Sequence, residues 1–199
     1  MEATTLKPDM PGTITHNPAV LSLDDLLVLA AKADRQQFGV LYNKYYGLVA
    51  RFIYQRMDTK EEAMDITQQV FMQAMTALDR YETRGFPFSS WLYRIAVNEI
   101  NSYYRKNKNL RAVNIDDSSL HEMIGEINEP YSEENEQALL AAIQTLDEEE
   151  IQLLEMRFFE KRPFKEIAEI KDSNESAVKM KVYRLLDKLK VILEKKQIL

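Results

Sequence analysis

The sequence predicts an all-α protein of two small helical domains joined by an acidic linker, the C-terminal one containing a helix-turn-helix. Three observations carry that expectation. Only five glycines occur in 199 residues, while Leu, Ala, Glu, Lys, Gln and Met are abundant, a composition that favours helix. Apolar residues recur at helical spacing in successive segments. Charge is partitioned along the chain: residues 112–150 hold 12 acidic residues and no Lys or Arg, whereas residues 30–111 and 151–199 carry net charges of +5 and +4. The total of −6 conceals two basic blocks around one acidic segment.

Residues 1–21, with Pro8, Pro11 and Pro18 and no apolar period, are expected to form a mobile N-terminal tail. Ser22 with Asp25 reads as a helix start, followed by an apolar face of Leu23, Leu26, Leu27 and Ala30. Asp34 can cap a second helix through Phe38, Leu41, Tyr42, Tyr45, Leu48, Val49 and Phe52. Thr59 with Glu62 forms a capping box opening a third, on Ile66, Val70, Phe71, Ala74 and Leu78. Gly85 and Pro87 break the pattern. A fourth helix is expected from Ser90 to Asn107, with Trp91, Leu92, Ile95 and Ala96 on its buried side. Residues 22–112 thus read as one bundle. Residues 113–134 are acidic, with Gly125 and Pro130, and are placed as the interdomain linker. Residues 135–199 form the second domain. It starts with a helix over Gln137–Gln144, and Asp147 with Glu150 then opens another through Phe159. A short amphipathic helix (Phe164–Ile170), a polar turn (Lys171–Asn174) and a long closing helix from Glu175 complete it.

Several function classes recede on composition alone. Without cysteine there is no disulfide and no thiolate metal site, and His16 and His121 lie far apart, so no metal or other cofactor is expected. The longest purely apolar run, Leu26 to Ala31, is far short of the roughly 20 residues a membrane span needs, so membrane insertion is not expected and a cytoplasmic location is. No carboxylate pair or activated nucleophile stands out, so no catalytic residue is assigned and the chain is not expected to be an enzyme.

Two constellations suit nucleic acid. Ser90 to Lys106, SWLYRIAVNEINSYYRK, puts aromatic, cationic and amide side chains on one helix. Such residues can stack on unpaired bases, hold phosphates and bond base edges, although the same composition would serve a core helix with a solvated charged face. Lys165 to Lys190 has the short helix, polar turn and longer helix of a helix-turn-helix. On its second helix Glu175, Ser176, Lys179 and Lys181 would face base edges, with Arg184 reaching phosphate. A plain helical hairpin with lysines on its wet face is the alternative.

The run SWLYRIAVNEINSYYRK resembles the promoter-melting helix of extracytoplasmic-function sigma factors of the sigma-70 family. Glu61 to Met75, EEAMDITQQVFMQAM, resembles their polymerase-binding helix, and LDEEEIQLLEMRFFEKRPFKEIAEI with the helix after it resembles their second, promoter-gripping domain. The resemblance implies a role in transcription initiation. Residues 22–112 would be region 2, which binds core RNA polymerase and recognises and melts the −10 element. Residues 135–199 would be region 4, which recognises the −35 element. Asp65, Gln68, Gln69 and Phe71 would dock on the polymerase beta-prime clamp, and region 4 on the beta flap. Arg80 to Ser90 would receive a flipped base, at an unstacking cost of a few kcal/mol. Arg84, Trp91, Arg94, Asn98, Asn101, Arg105 and Lys106 would hold and read the −10 region. An anti-sigma factor is a further implied partner, beside promoter DNA. The sequence departs from the family pattern at Gln69, where an acid is usual, and in the turn Lys171–Asn174, which lacks the usual Gly or Pro. It departs again at Ala177 and Met180, where Thr and Ser are frequent. The acidic linker could occupy a positively charged channel, act as a spacer, or fold back on the basic faces. A helix-turn-helix regulator acting without core polymerase, and a helical adaptor that never touches DNA, are the readings from other classes.

Overall fold

Side-chain caps from Ser22, Thr59, Ser132, Asp147 and Asn174 fix five helix starts, and burial of one stripe per helix fixes how the helices pack. Asp34 caps a short turn (Arg35–Gln37) ahead of the second helix rather than that helix itself. The computed structural model describes residues 21–82, 85–107, 117–128, 130 and 132–196. All but the last residue of the expected N-terminal tail, Arg84, and the stretch 108–116 lie outside the described residues. Nine α-helices are present among the described residues: α1 (Leu23–Ala33), α2 (Phe38–Tyr54), α3 (Lys60–Ala77), α4 (Phe88–Asn107), α5 (Asp117–Ile127), α6 (Glu133–Ile143), α7 (Glu148–Leu154), α8 (Phe164–Ile170) and α9 (Glu175–Lys196). The capping boxes expected at Ser22/Asp25, Thr59/Glu62 and Asp147/Glu150 are all formed.

Helices α1 to α4 form the N-terminal bundle, with α3 packed between α2 and α4. Its core holds Leu41, Val49, Ile53, Val70, Ala74, Leu92, Ala96 and Ile100. Helix α1 is rotated from the expected face. Of the expected residues Leu23, Leu26 and Ala30 are exposed and Leu27 alone packs against the core, while Val28 and Ala31 are the buried positions. The cause is Asp24, whose carboxylate accepts hydrogen bonds from Lys44 and from the Tyr45 hydroxyl and so turns the 24/28/31 stripe inward. Burial alone would raise the Asp24 pKa, but those two bonds, the Lys44 charge and a backbone hydrogen bond from Phe88 together outweigh it and hold the carboxyl below its ordinary value.

Helices α5 to α9 form the C-terminal half. The stretch expected to be a linker differs from that expectation over residues 117–127. They form α5, whose Leu120, Met123, Ile124 and Ile127 are buried and which packs against α6 and α9. Those four positions follow i, i+3, i+4, i+7 spacing, so the acidic residues lie on the outer face of a packed helix. Helix α7 continues through a widened π turn, Glu155–Phe159. Ala168 is buried where α8 meets α9, and the turn between them passes through Asp172 with φ of 50°. The Asn174 side chain then accepts from the Ala177 N–H at 2.8 Å, capping α9.

The two halves touch. Helix α4 packs on α8, and the buried side chains of both halves belong to one contiguous cluster.

Candidate nucleic-acid interface

At about 100° per residue, Trp91, Arg94, Asn98, Asn101 and Arg105 fall within roughly 80° of one another on α4. Their face points away from the bundle core, which α4 meets through Leu92, Ala96, Val97, Ile100 and Tyr104. Periodicity therefore separates the aromatic residues that composition could not. Tyr93 and Tyr104 are core, and the Tyr104 hydroxyl donates to the Arg56 carbonyl at 2.8 Å. Trp91 is half-buried, its ring 5.0 Å from Tyr81 and 5.4 Å from Phe88. Asn98, Arg105 and Lys106 are exposed.

Two members of this face are engaged by the C-terminal half. The Arg94 guanidinium donates to the Glu169 carbonyl from Nε at 3.0 Å and Nη2 at 2.7 Å, and pairs with the Glu169 carboxylate and with Asp172 at 3.0 Å. Asn101 Oδ1 accepts from Gln152 Nε2 at 2.7 Å, and Gln152 is fully buried. Beside these contacts a cleft of about 780 Å³ opens between the halves, with Arg94, Asn98 and Asn101 on one wall and Lys181, Arg184 and Lys188 on the other. Lys171 lines it as well. Burial pulls its ammonium below its ordinary pKa against the opposing pull of Glu149.

The helix-turn-helix residues divide between two faces. Glu175, Ser176, Lys179, Lys181 and Arg184 are all exposed, but only Lys181 and Arg184 of these line the cleft. Met180, already singled out as a departure from the family pattern, and Tyr183, which sequence reasoning did not name, are exposed on the side away from the buried stripe, with the Lys179 ammonium 5.9 Å over the Tyr183 ring.

On α3, Asp65, Gln68 and Gln69 are exposed, whereas Phe71 is buried against Tyr42, ring centroids 4.8 Å apart. A shallow apolar groove of about 420 Å³ runs along this helix, lined by Phe38, Tyr42, Gln68, Phe71, Met72 and Met75. Met64, Met72 and Met75 are exposed off the apolar stripe of α3. That spacing is the signal that could have found them.

Sequence reasoning also missed an ionic cluster between the halves. Arg56, two residues beyond α2, is 2% exposed. Its Nε lies 3.0 Å from the Glu155 carboxylate, its Nη2 bonds Glu160, and its guanidinium sits 3.7 Å over the Phe52 ring. Arg162 bonds Glu160 and Glu166 and lies 4.2 Å over the Tyr93 ring. Burial lowers the Arg56 pKa, and Glu160 opposes that shift. Among the described residues no group of acidic or histidine side chains could hold a metal ion, and no helix is long and apolar enough to cross a membrane.

Comparison with known proteins places these two halves. The family model for sigma-70 region 2 matches residues 41–110, and that for sigma-70 region 4 matches residues 136–189, together well over half of the chain. The ECF RNA polymerase sigma factor BldN of Streptomyces coelicolor is 26% identical over 162 residues, covering 80% of this chain and 61% of that protein. The ECF RNA polymerase sigma-E factor of Escherichia coli K12 is 27% identical over 163 residues, covering 77% of this chain and 84% of that protein. RNA polymerase sigma factor SigV of Bacillus subtilis is 26% identical over 148 residues, covering 74% and 86%. Among solved structures, CnrH in complex with the cytosolic domain of CnrY shares the fold, with a TM-score of 0.55 at 20% identity over 86% of this chain and 97% of that one.

Proposed function

Because this chain belongs to the sigma-70 family, as an RNA polymerase sigma factor of the extracytoplasmic-function group, we propose that its two halves divide promoter recognition between them. The N-terminal bundle docks on the beta-prime clamp of core polymerase through the exposed face of α3, with Asp65, Gln68 and Gln69 as polar contacts. Phe71 supports that face from within the core. The α4 face then captures the separated strand of the −10 region: Arg94, Arg105 and Lys106 hold phosphates, Asn98 and Asn101 bond base edges, and Trp91 braces the point of opening. Arg84 belongs to the adjoining loop in this reading. The C-terminal half reads the −35 region with α9, where Glu175, Ser176 and Lys179 address base edges and Lys181 and Arg184 address phosphate. It also meets the beta flap. The polymerase supplies the chemistry, so the chain needs no cofactor, and its place of work is the cytoplasm, where polymerase and DNA are.

The observation that carries this reading is the single face shared by Trp91, Arg94, Asn98, Asn101 and Arg105. An anti-sigma factor is the further partner, one that would hold the halves together or cover the α3 groove. Run-off transcription on a genomic fragment library tests the reading. Discrete transcripts are expected only when core polymerase and this chain are both present. Sequence-specific binding by the chain without core polymerase would instead favour a stand-alone helix-turn-helix regulator.

A further inference from the structure

Helix α9 is anchored by Val178, Val182, Leu185, Leu186 and Leu189, all buried. Projected at about 100° per residue, the direction opposite the centre of that stripe falls within roughly 10° of Met180. Lys179 and Lys181 lie about 100° to either side of it. Met180 is 51% exposed and Tyr183, on the next turn, 45%. Ser176 precedes Met180 by one turn, close to the same direction, and Asn174 caps the helix just before it.

A helix seated by its N-terminal half in the major groove inserts deepest the side chain that points directly away from its own core. Here that side chain is a flexible thioether, with no hydrogen to donate and only a weakly accepting sulfur. Bonding to base edges therefore falls to its neighbours. What a thioether can recognise in the major groove is an apolar feature, and the C5-methyl group of thymine is the apolar feature the groove presents.

We propose that Met180 is a specificity-determining residue, selecting a thymine methyl group in the upstream promoter element. The inference rests on the reading of α9 as the promoter-reading helix. Lys179, drawn toward the Tyr183 ring, leaves the centre of the face apolar, and Ser176 addresses the neighbouring base.

The test uses holoenzyme assembled from the full chain and core polymerase. Duplexes randomised over the upstream element are selected for binding. The preferred duplex is then resynthesised with each dT replaced in turn by dU, which removes the methyl group and nothing else. Burial of one methyl group corresponds to about fourfold in affinity, so one such replacement should weaken wild-type binding by about that factor. Met180→Ser should reduce the dT/dU ratio at that position to about one with an unchanged salt slope, and Met180→Leu should keep the ratio. Because the side chain is exposed, neither variant disturbs the core. The inference is overturned if every dT→dU replacement is neutral for the wild type, or if Met180→Ser keeps the full penalty. A wild-type holoenzyme with no upstream preference at all would overturn the reading of α9 itself. A preference that ignores the methyl groups overturns only the role of Met180.

Discussion

Asn98 stands between Arg94 and Asn101 on α4, and it is exposed, with no side-chain partner among the described residues. Asn98→Ala should leave the melting temperature of the protein nearly unchanged, since exposed substitutions of this kind usually shift stability within about 0.5 kcal/mol. On a duplex promoter it should slow strand opening, read by permanganate reactivity, and a prebubbled template should restore most of the loss. Equal defects on both templates would remove Asn98 from melting. Trp91→Ala is a poorer probe, because its contacts with Tyr81 and Phe88 make it cost about 3 kcal/mol of fold stability. Asp24 offers a test of acid sensitivity. Its folded pKa lies below the unfolded value, so its bonds stabilise the fold above about pH 4 and are lost as pH falls through the folded pKa. Asp24→Asn should therefore flatten the fall in unfolding free energy between about pH 5 and pH 3 relative to the wild type. A fall of equal steepness would show that the α1 contact contributes nothing. The Asp24 contact was not legible locally: its partners lie 20 and 21 residues away, and the leucines of α1 read as the more apolar face.

Individual helices were more legible than their orientation. The starts of α1, α3 and α7 follow from two-residue capping patterns that act within one turn, so the sequence alone suffices. The buried side of α4 was only half read: Leu92 and Ala96 are buried as expected, whereas Trp91 and Ile95, expected beside them, are half-buried. Helix α5 was misread because composition outweighed spacing, although Leu120, Met123, Ile124 and Ile127 carry the period of a buried stripe. On α3, Asp65→Arg reverses an exposed charge without touching the core. It is expected to abolish co-elution with core polymerase at unchanged helicity, and wild-type co-elution would move the docking surface elsewhere. On α9, Arg184→Ala should weaken holoenzyme binding to matched and scrambled upstream elements alike and lower the salt slope by about 1. Unchanged affinity and slope would return the C-terminal half to a simple helical hairpin.

The association of the two halves was invisible in the sequence, because Arg56 has the look of an ordinary surface cation and its acidic partners lie about a hundred residues on. Arg56→Met removes the cation that Glu155 and Glu160 share, leaving Glu160 to Arg162 alone, and breaking a buried pair in this way costs about 3–5 kcal/mol. Calorimetry should show the loss. Adding Glu155→Leu, with Glu160 kept for Arg162, should recover part of it, because a buried ionic cluster is seldom more stable than an apolar one of similar volume. The same interface bears on recognition through Arg94 and Asn101. Each is proposed to contact DNA, and each is bonded to Glu169, Asp172 or Gln152 while the halves are together. The two uses exclude one another, so strand capture draws only on the fraction of molecules that are apart. The observed dissociation constant is the intrinsic one divided by that fraction. Every tenfold bias toward association thus weakens apparent affinity tenfold, a difference of about 1.4 kcal/mol. By reciprocity, any partner that favours the separated halves would raise DNA affinity by the factor by which DNA raises its own, without touching DNA, so on the proposed reading the contact between the halves would act as a gain control on promoter binding.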